Sequence, residues 1–172
     1  GFIAGYTRIG LTEISAVKQT NDHSEAGNIN PNVRANVAYN PDSDLIPVTR
    51  SNGILIVNSS PSSGRIPGQS SVMLLDGWTW EDATLKHPAA LNLNWPNMRF
   101  DFRKSAKKKE KIQRDEYNKS IREINLLIRD VKAYNLRKNA KERKAENKQE
   151  SDLRLESMIP FIIFKESIHV KA

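Results

Sequence analysis

The run Gly53-Ile54-Leu55-Ile56-Val57 limits the folds open to this chain more than any other segment, because it is continuously apolar. A strand with one wet face alternates apolar and polar residues. An unbroken apolar run instead predicts a strand covered on both faces, as in a parallel sheet flanked by helices. Residues 1–9 are also apolar and strand-like, Ser71–Leu75 reads as a strand ending at the turn Asp76-Gly77, and Ile168–Lys171 reads as a final strand. Between them, short helices are expected at Val33–Ala38, Asp44–Ser51 and Trp80–Lys86, the last helped by Glu81 and Asp82 in its first turn.

The longest periodic stretch is Met98–Glu150. Ile112, Tyr117, Ile121, Ile124, Leu127, Ile128, Val131 and Tyr134 recur at spacings of three to five, which predicts an amphipathic helix. From Arg137 to Glu150 the apolar stripe is lost, and an exposed end is expected. Asp152–Ile159 reads as another helix, stopped near Pro160. Strands alternating with helices predict an α/β chain with parallel pairing. It divides into residues 1–100, with the first strands and a Ser, Pro and Gly loop, residues 101–150, the long charged helix, and residues 151–172, a helix and a last strand.

Size and composition narrow the reading. The chain has 172 residues, short of the roughly 250 that a complete eight-stranded α/β barrel needs. Gly1 is not a start methionine and the sequence stops just after a strand-like run, so it reads as an internal piece of a longer protein or a truncated product. With no cysteine, disulfides and thiolate metal sites are excluded. No apolar run approaches the ~20 residues of a membrane helix, and no membrane partner is expected. The compartment stays open; a periplasmic or secreted location would follow from a signal peptide ahead of Gly1. The net charge of +7 is uneven: residues 1–100 hold 7 Lys/Arg against 8 Asp/Glu, and residues 101–172 hold 20 against 12.

Gly1-Phe2-Ile3-Ala4-Gly5-Tyr6-Thr7-Arg8-Ile9-Gly10-Leu11 resembles the first barrel strand of the amidohydrolase superfamily, Gly-(apolar)-(apolar)-Asp-x-His-x-His-(apolar)-Gly. Asn30–Arg34, Ala38–Ser43, Arg50–Ile54, Gly64–Ser71 and Asp76–Ala83 are similar to the imidazolonepropionase-related branch of that superfamily, covering about residues 1–98. The tail from Leu155 to Ala172 matches more weakly, as the helix and strand that lead to the family's strand-five histidine. The resemblance implies an incomplete TIM-type (β/α) barrel with a long amphipathic basic helix. It also implies a parent that hydrolyses C–N bonds of cyclic amide-type small molecules with zinc or another divalent metal.

The family's ligand positions, however, hold Tyr6 and Arg8 on the first strand and Lys171 on the last. A phenol is a poor ligand near neutral pH, and a guanidinium has no free lone pair. His169 lies two residues before Lys171 and shares its face of the strand. No metal site is expected in this chain by itself, no residue is assigned a catalytic role, and the chain is predicted to be inactive alone. The alternative is a non-catalytic barrel that binds a second copy or an active paralogue. The resemblance places Arg65, Gln69, Ser70 and Ser71 on a loop at the substrate side, where barrel active sites lie; a plain surface loop is the alternative.

Other motifs are weaker. Gly64 to Ser71 has three residues between its glycines and Gln69 where a phosphate loop needs lysine, so nucleotide binding is rejected. Ser70 lacks a nucleophile elbow, and neither His23 nor His87 has a spacing that identifies a triad partner. Trp78, Trp80 and Trp95 are expected in core or wall. The basic segment Arg103–Lys148 suits nucleic acid by charge, but Glu110, Asp115, Glu116, Glu123, Asp130, Glu142 and Glu146 interrupt it, as on a solvated helix face. No nucleic-acid partner is expected.

Overall fold

The computed structural model describes residues 1–97, 106–144 and 151–171. The outer limits of the predicted long helix, Met98 and Glu150, lie outside these residues, as do Arg103, Glu146, Lys148 and Ala172. Five strands form one sheet in the order of the chain: β1 (Phe2–Thr7), β2 (Ile54–Ser59), β3 (Gly68–Leu74), β4 (Thr84–Asn94) and β5 (Ser167–Lys171). The helices are α1 (Leu45–Ser51), α2 (Trp80–Ala83), α3 (Ala106–Lys144) and α4 (Leu153–Ile162), with one 3-10 turn at Lys18–Thr20.

β1 and β2 are parallel neighbours, as are β4 and β5, but β3 runs antiparallel to both β2 and β4. Four strands therefore point one way and β3 the other, which corrects the expectation of parallel pairing throughout. The reason is connection length. Only residues 60–67 separate β2 from β3, whereas a parallel return needs about a dozen residues or more. β1 and β2 are joined by a long excursion in which Gly10 adopts φ +77 against the ring of Tyr39. A Cβ at Gly10 would lie 2.3 Å from that ring, so only glycine lets the chain pass.

β4 begins inside the expected helix Trp80–Lys86 and continues through residues for which no strand is expected. The helix begun at Trp80 ends at Ala83, and residues 84–94 extend as a strand. Predicted helix Val33–Ala38 is absent. The Gln69 N–H donates to the Val33 carbonyl at 2.8 Å and the Ala35 N–H to the Gln69 carbonyl at 3.0 Å, pulling this segment against β3 instead. The Ser, Pro and Gly loop spans only residues 60–67: Ser59 closes β2, while Gln69, Ser70 and Ser71 belong to β3 and are buried.

Alternation of side chains gives the sheet two unlike faces. Val57 pairs with Met73, Met73 shares its face with Ser71 and Gln69, and Gln69 pairs with Leu91. Two apolar clusters sit there. Val57 and Met73 pack with Tyr39, Ile46, Leu75 and Ala83, and Leu91 packs with Ile66, Val131, Met158, Phe161 and Ile162. α3 and α4 thus cover the β4 end of this face.

Asp152 caps α4 by accepting from the Arg154 and Leu155 N–H groups at 2.9 and 3.3 Å. The predicted stop at Pro160 is not observed, and the helix runs on to Ile162. An interior proline costs about 3 kcal/mol. Burial of Phe161 (0% exposed) and Ile162 (8%) contributes about 1.5–3 kcal/mol for each side chain, so packing wins. Trp78, expected in core or wall, is 92% exposed, while Trp80 packs against the first cluster.

Replacing Phe161 by Ala is expected to lower unfolding free energy by about 3–5 kcal/mol. The control Phe164→Ala, at a side chain 91% exposed, should change it by no more than about 0.5 kcal/mol. Urea titration followed by circular dichroism measures both; equal effects would contradict the docking of α4.

Candidate functional site

The other face of the sheet carries polar groups. Asn58 pairs with Val72, Val72 shares a face with Ser70, Ser70 pairs with Ala90, and Ala90 shares a face with Asn92, which pairs with His169. Asn58, Ser70, Asn92, His169 and, by alternation, Lys171 therefore lie on one surface. Three of these strands contribute from their C-terminal ends and antiparallel β3 from its N-terminal end, so the polar groups gather at one rim.

β1 completes the set through an irregularity. Between the pairs Ala4–Val57 and Thr7–Ser59, β1 has one residue more than β2, so Gly5 and Tyr6 together oppose Asn58. Tyr6 takes φ +49, a conformation that costs a side-chain-bearing residue about 1–3 kcal/mol and persists only when its surroundings hold it. The bulge turns its ring towards β5. The Tyr6 and His169 rings stack with centroids 5.0 Å apart and planes at 16°, and Lys171 Nζ lies 4.9 Å from the Tyr6 centroid. Such a cation over a ring face is held by the quadrupole.

These contacts report the shape of the sheet. β1 and β5 are its two outermost strands. In a flat sheet they would be separated by four spacings of about 4.8 Å, roughly 19 Å, more than a phenol and an imidazole span together. The sheet must curl, with the polar face concave.

Tyr6 Oη, Asn58 Oδ1 and Asn92 Oδ1 are buried without a hydrogen-bond partner among the described residues. The Asn92 amide nitrogen donates to the Gly68 carbonyl at 3.2 Å, and Ser70 Oγ to the Ala90 carbonyl at 3.3 Å. Burial pushes the Tyr6 phenol above its ordinary value, with the Arg8 charge opposing. At the same rim, Thr12 Oγ1 lies 2.9 Å from His23 Nδ1, and burial followed by the Arg8 charge lowers the His23 pKa.

Of the residues singled out from sequence, Tyr6 and Lys171 meet, with His169 between the same elements. Arg8 is exposed at the rim and forms no ion pair among the described residues. The four loop candidates separate. Arg65 alone is on the loop, and its Nη atoms donate to the Asn94 carbonyl and Ser120 Oγ, both at 3.0 Å, tying β4 to α3. Ser70 lies on the concave face, while Gln69 and Ser71 lie on the opposite one. Neither Asn58 nor Asn92 is among the expected rim residues, although their parity with His169 is readable once β4 is known to be a strand.

The fold resembles the crystal structure of an amidohydrolase from Thermotoga maritima MSB8, with a TM-score of 0.84 and 22% sequence identity. The match covers 100% of this chain and 44% of that one, so the chain spans less than half the length of this neighbour. No protein-family model matches the sequence, and no curated protein sequence matches it significantly. At this identity the likeness establishes the fold: mixed α/β and amidohydrolase-like, built on a curled five-stranded half-barrel sheet.

Replacing Tyr6 by Phe keeps the stack and removes a buried hydroxyl without a partner. It is expected to raise unfolding free energy by about 1 kcal/mol, since an unsatisfied buried polar group costs about 1–3 kcal/mol. A loss of about 1 kcal/mol or more in chemical denaturation would contradict this arrangement.

Proposed function

We propose that this chain is part of an amidohydrolase-type TIM (β/α) barrel, one that supplies a polar small-molecule surface but does not hydrolyse by itself. The observation that carries the reading is the meeting of Tyr6, His169 and Lys171 across the concave face. In such a barrel, groups from the first and fifth strands converge at the strand ends where substrates bind. Within the superfamily, the similarity of residues 1–98 to the imidazolonepropionase-related branch supports a parent acting on C–N bonds of cyclic amide-type molecules.

A divalent cation, zinc in many such hydrolases, would supply Lewis-acid activation of a water when bound. The residues at this rim do not fit one. Lys171 brings a positive charge, Arg8 another, and the Tyr6 phenol, raised by burial, resists forming the phenolate that a cation requires. Of Tyr6, Arg8, His169 and Lys171, only His169 is an ordinary metal donor. Among the described residues no group of three or more His, Cys, Asp or Glu side chains is placed to hold an ion. No hydrolytic step is therefore routed through a metal held by this chain.

The stack itself favours a second reading, a non-catalytic barrel that binds a small molecule or pairs with an active paralogue. Aromatic and cationic contacts between Tyr6, His169 and Lys171 hold the two outer strands together where ligands would otherwise bridge them. Nucleic-acid binding is not part of either reading, because acidic residues such as Asp115, Glu123 and Asp130 interrupt the basic ones along α3.

After incubation with zinc or manganese and dialysis, the unmutated chain is expected to retain no stoichiometric metal by elemental analysis, while Tyr6→His combined with Arg8→His gains affinity. One tightly held equivalent in the unmutated chain would refute the proposal.

A further inference from the structure

On the face of the sheet opposite the Tyr6 rim, a cleft of about 490 Å³ opens between β3, β4 and α4, lined among others by Arg34, Gln69, His87, Pro88, Pro160 and Phe161. This volume is in the range of small-molecule sites, about 300–1,000 Å³. Its composition is uneven: Pro88, Pro160 and Phe161 give an apolar floor, Arg34 brings a guanidinium with no ion pair among the described residues, and the Glu156 carboxylate on the α4 side is paired with Lys138.

The polar groups are held in place by the fold. Arg34 bridges Gln69 of β3, fixed on either side by the Gln69 N–H to Val33 carbonyl and Ala35 N–H to Gln69 carbonyl bonds at 2.8 and 3.0 Å. Gly68, beside this bridge, has φ +140, and a Cβ there would lie 2.8 Å from the Val33 carbonyl oxygen. Glycine is thus what lets the Arg34 segment come so close.

His87 is oriented by Ser71, whose Oγ lies 2.8 Å from His87 Nδ1 and accepts from the Asn36 N–H at 3.2 Å. Ser71 is fully buried. When its hydroxyl donates to Nδ1, the neutral ring carries its proton on Nε2, the other nitrogen of a residue lining the cleft. Burial, then the Arg34 charge, lowers the His87 pKa, in keeping with a neutral ring.

A guanidinium and an imidazole N–H over an apolar floor match a ligand with one carboxylate and an apolar body. We infer that this cleft is a second binding site, for a small apolar carboxylate, formed by Arg34 and His87 above Pro88, Pro160 and Phe161. The inference stands apart from the barrel reading, since it uses neither the concave face nor any of its residues.

Titrating the 172-residue chain with benzoate, and separately with neutral benzamide, tests it by amide chemical shifts. Benzoate is expected to give saturable shifts around Arg34, Gln69 and His87, with benzamide at least tenfold weaker. Arg34→Ala should weaken benzoate at least tenfold, and Arg34→Lys, which keeps the charge and loses the planar fork, should fall between. Absent saturation, equal affinity for benzamide, or undiminished affinity in Arg34→Ala would each overturn the inference.

Discussion

Curling of the five-stranded sheet is the constraint on which the rest of this structure depends. Alternation gives each strand two sides, and the pairing register aligns these sides across the sheet. Val57, Met73 and Leu91 then face two apolar clusters. Asn58, Ser70, Asn92 and His169 face inwards. Were the sheet flat, the inner groups would be spread over a surface; curled, they form a rim at which Tyr6 of β1 touches His169 and Lys171 of β5. The same curl leaves β1 and β5 each paired on one side only among the described residues, with Phe2 and Ile3 more than two-thirds exposed. Unpaired edges and uncovered apolar faces are what an incomplete barrel presents.

Legibility in the sequence followed the strength of local signals. β1, β2 and β5 were readable because apolar runs and strand chemistry coincide there, and α1, α3 and α4 because their spacing or caps do. β3 begins three residues before the expected Ser71, since Gly68-Gln69-Ser70 has the composition of a loop; these residues stay in the ladder because the Val33–Ala35 segment and β4 satisfy their polar groups. β4 was lost to the helix signal of Glu81 and Asp82 and to Pro88, which normally argues against a strand. Its pairing with β3 is irregular where His87 and Pro88 fall, as the register shift between Ser70 and Val72 records. The antiparallel course of β3 was implicit in the short connection of residues 60–67, a signal that outweighed the apolar pattern of β2.

The site was legible in part for the same reason. Tyr6 and Lys171 came from motif resemblance, and His169 from period-two alternation. Ser71 and His87 are sixteen residues apart and meet only through the irregular antiparallel register of β3 with β4, so no sequence spacing marks them. Arg65, placed on the loop as expected, spends its guanidinium on Asn94 and Ser120, which makes it a tie between sheet and helix.

The most direct test is the proximity of the two outer strands in solution. Nuclear Overhauser contacts between the Tyr6 and His169 rings, together with contacts from the Lys171 ε-methylene to the Tyr6 ring, are the expected result. Their absence in a chain that retains the β1–β2 and β4–β5 contacts would mean that the sheet is open, and would contradict the account.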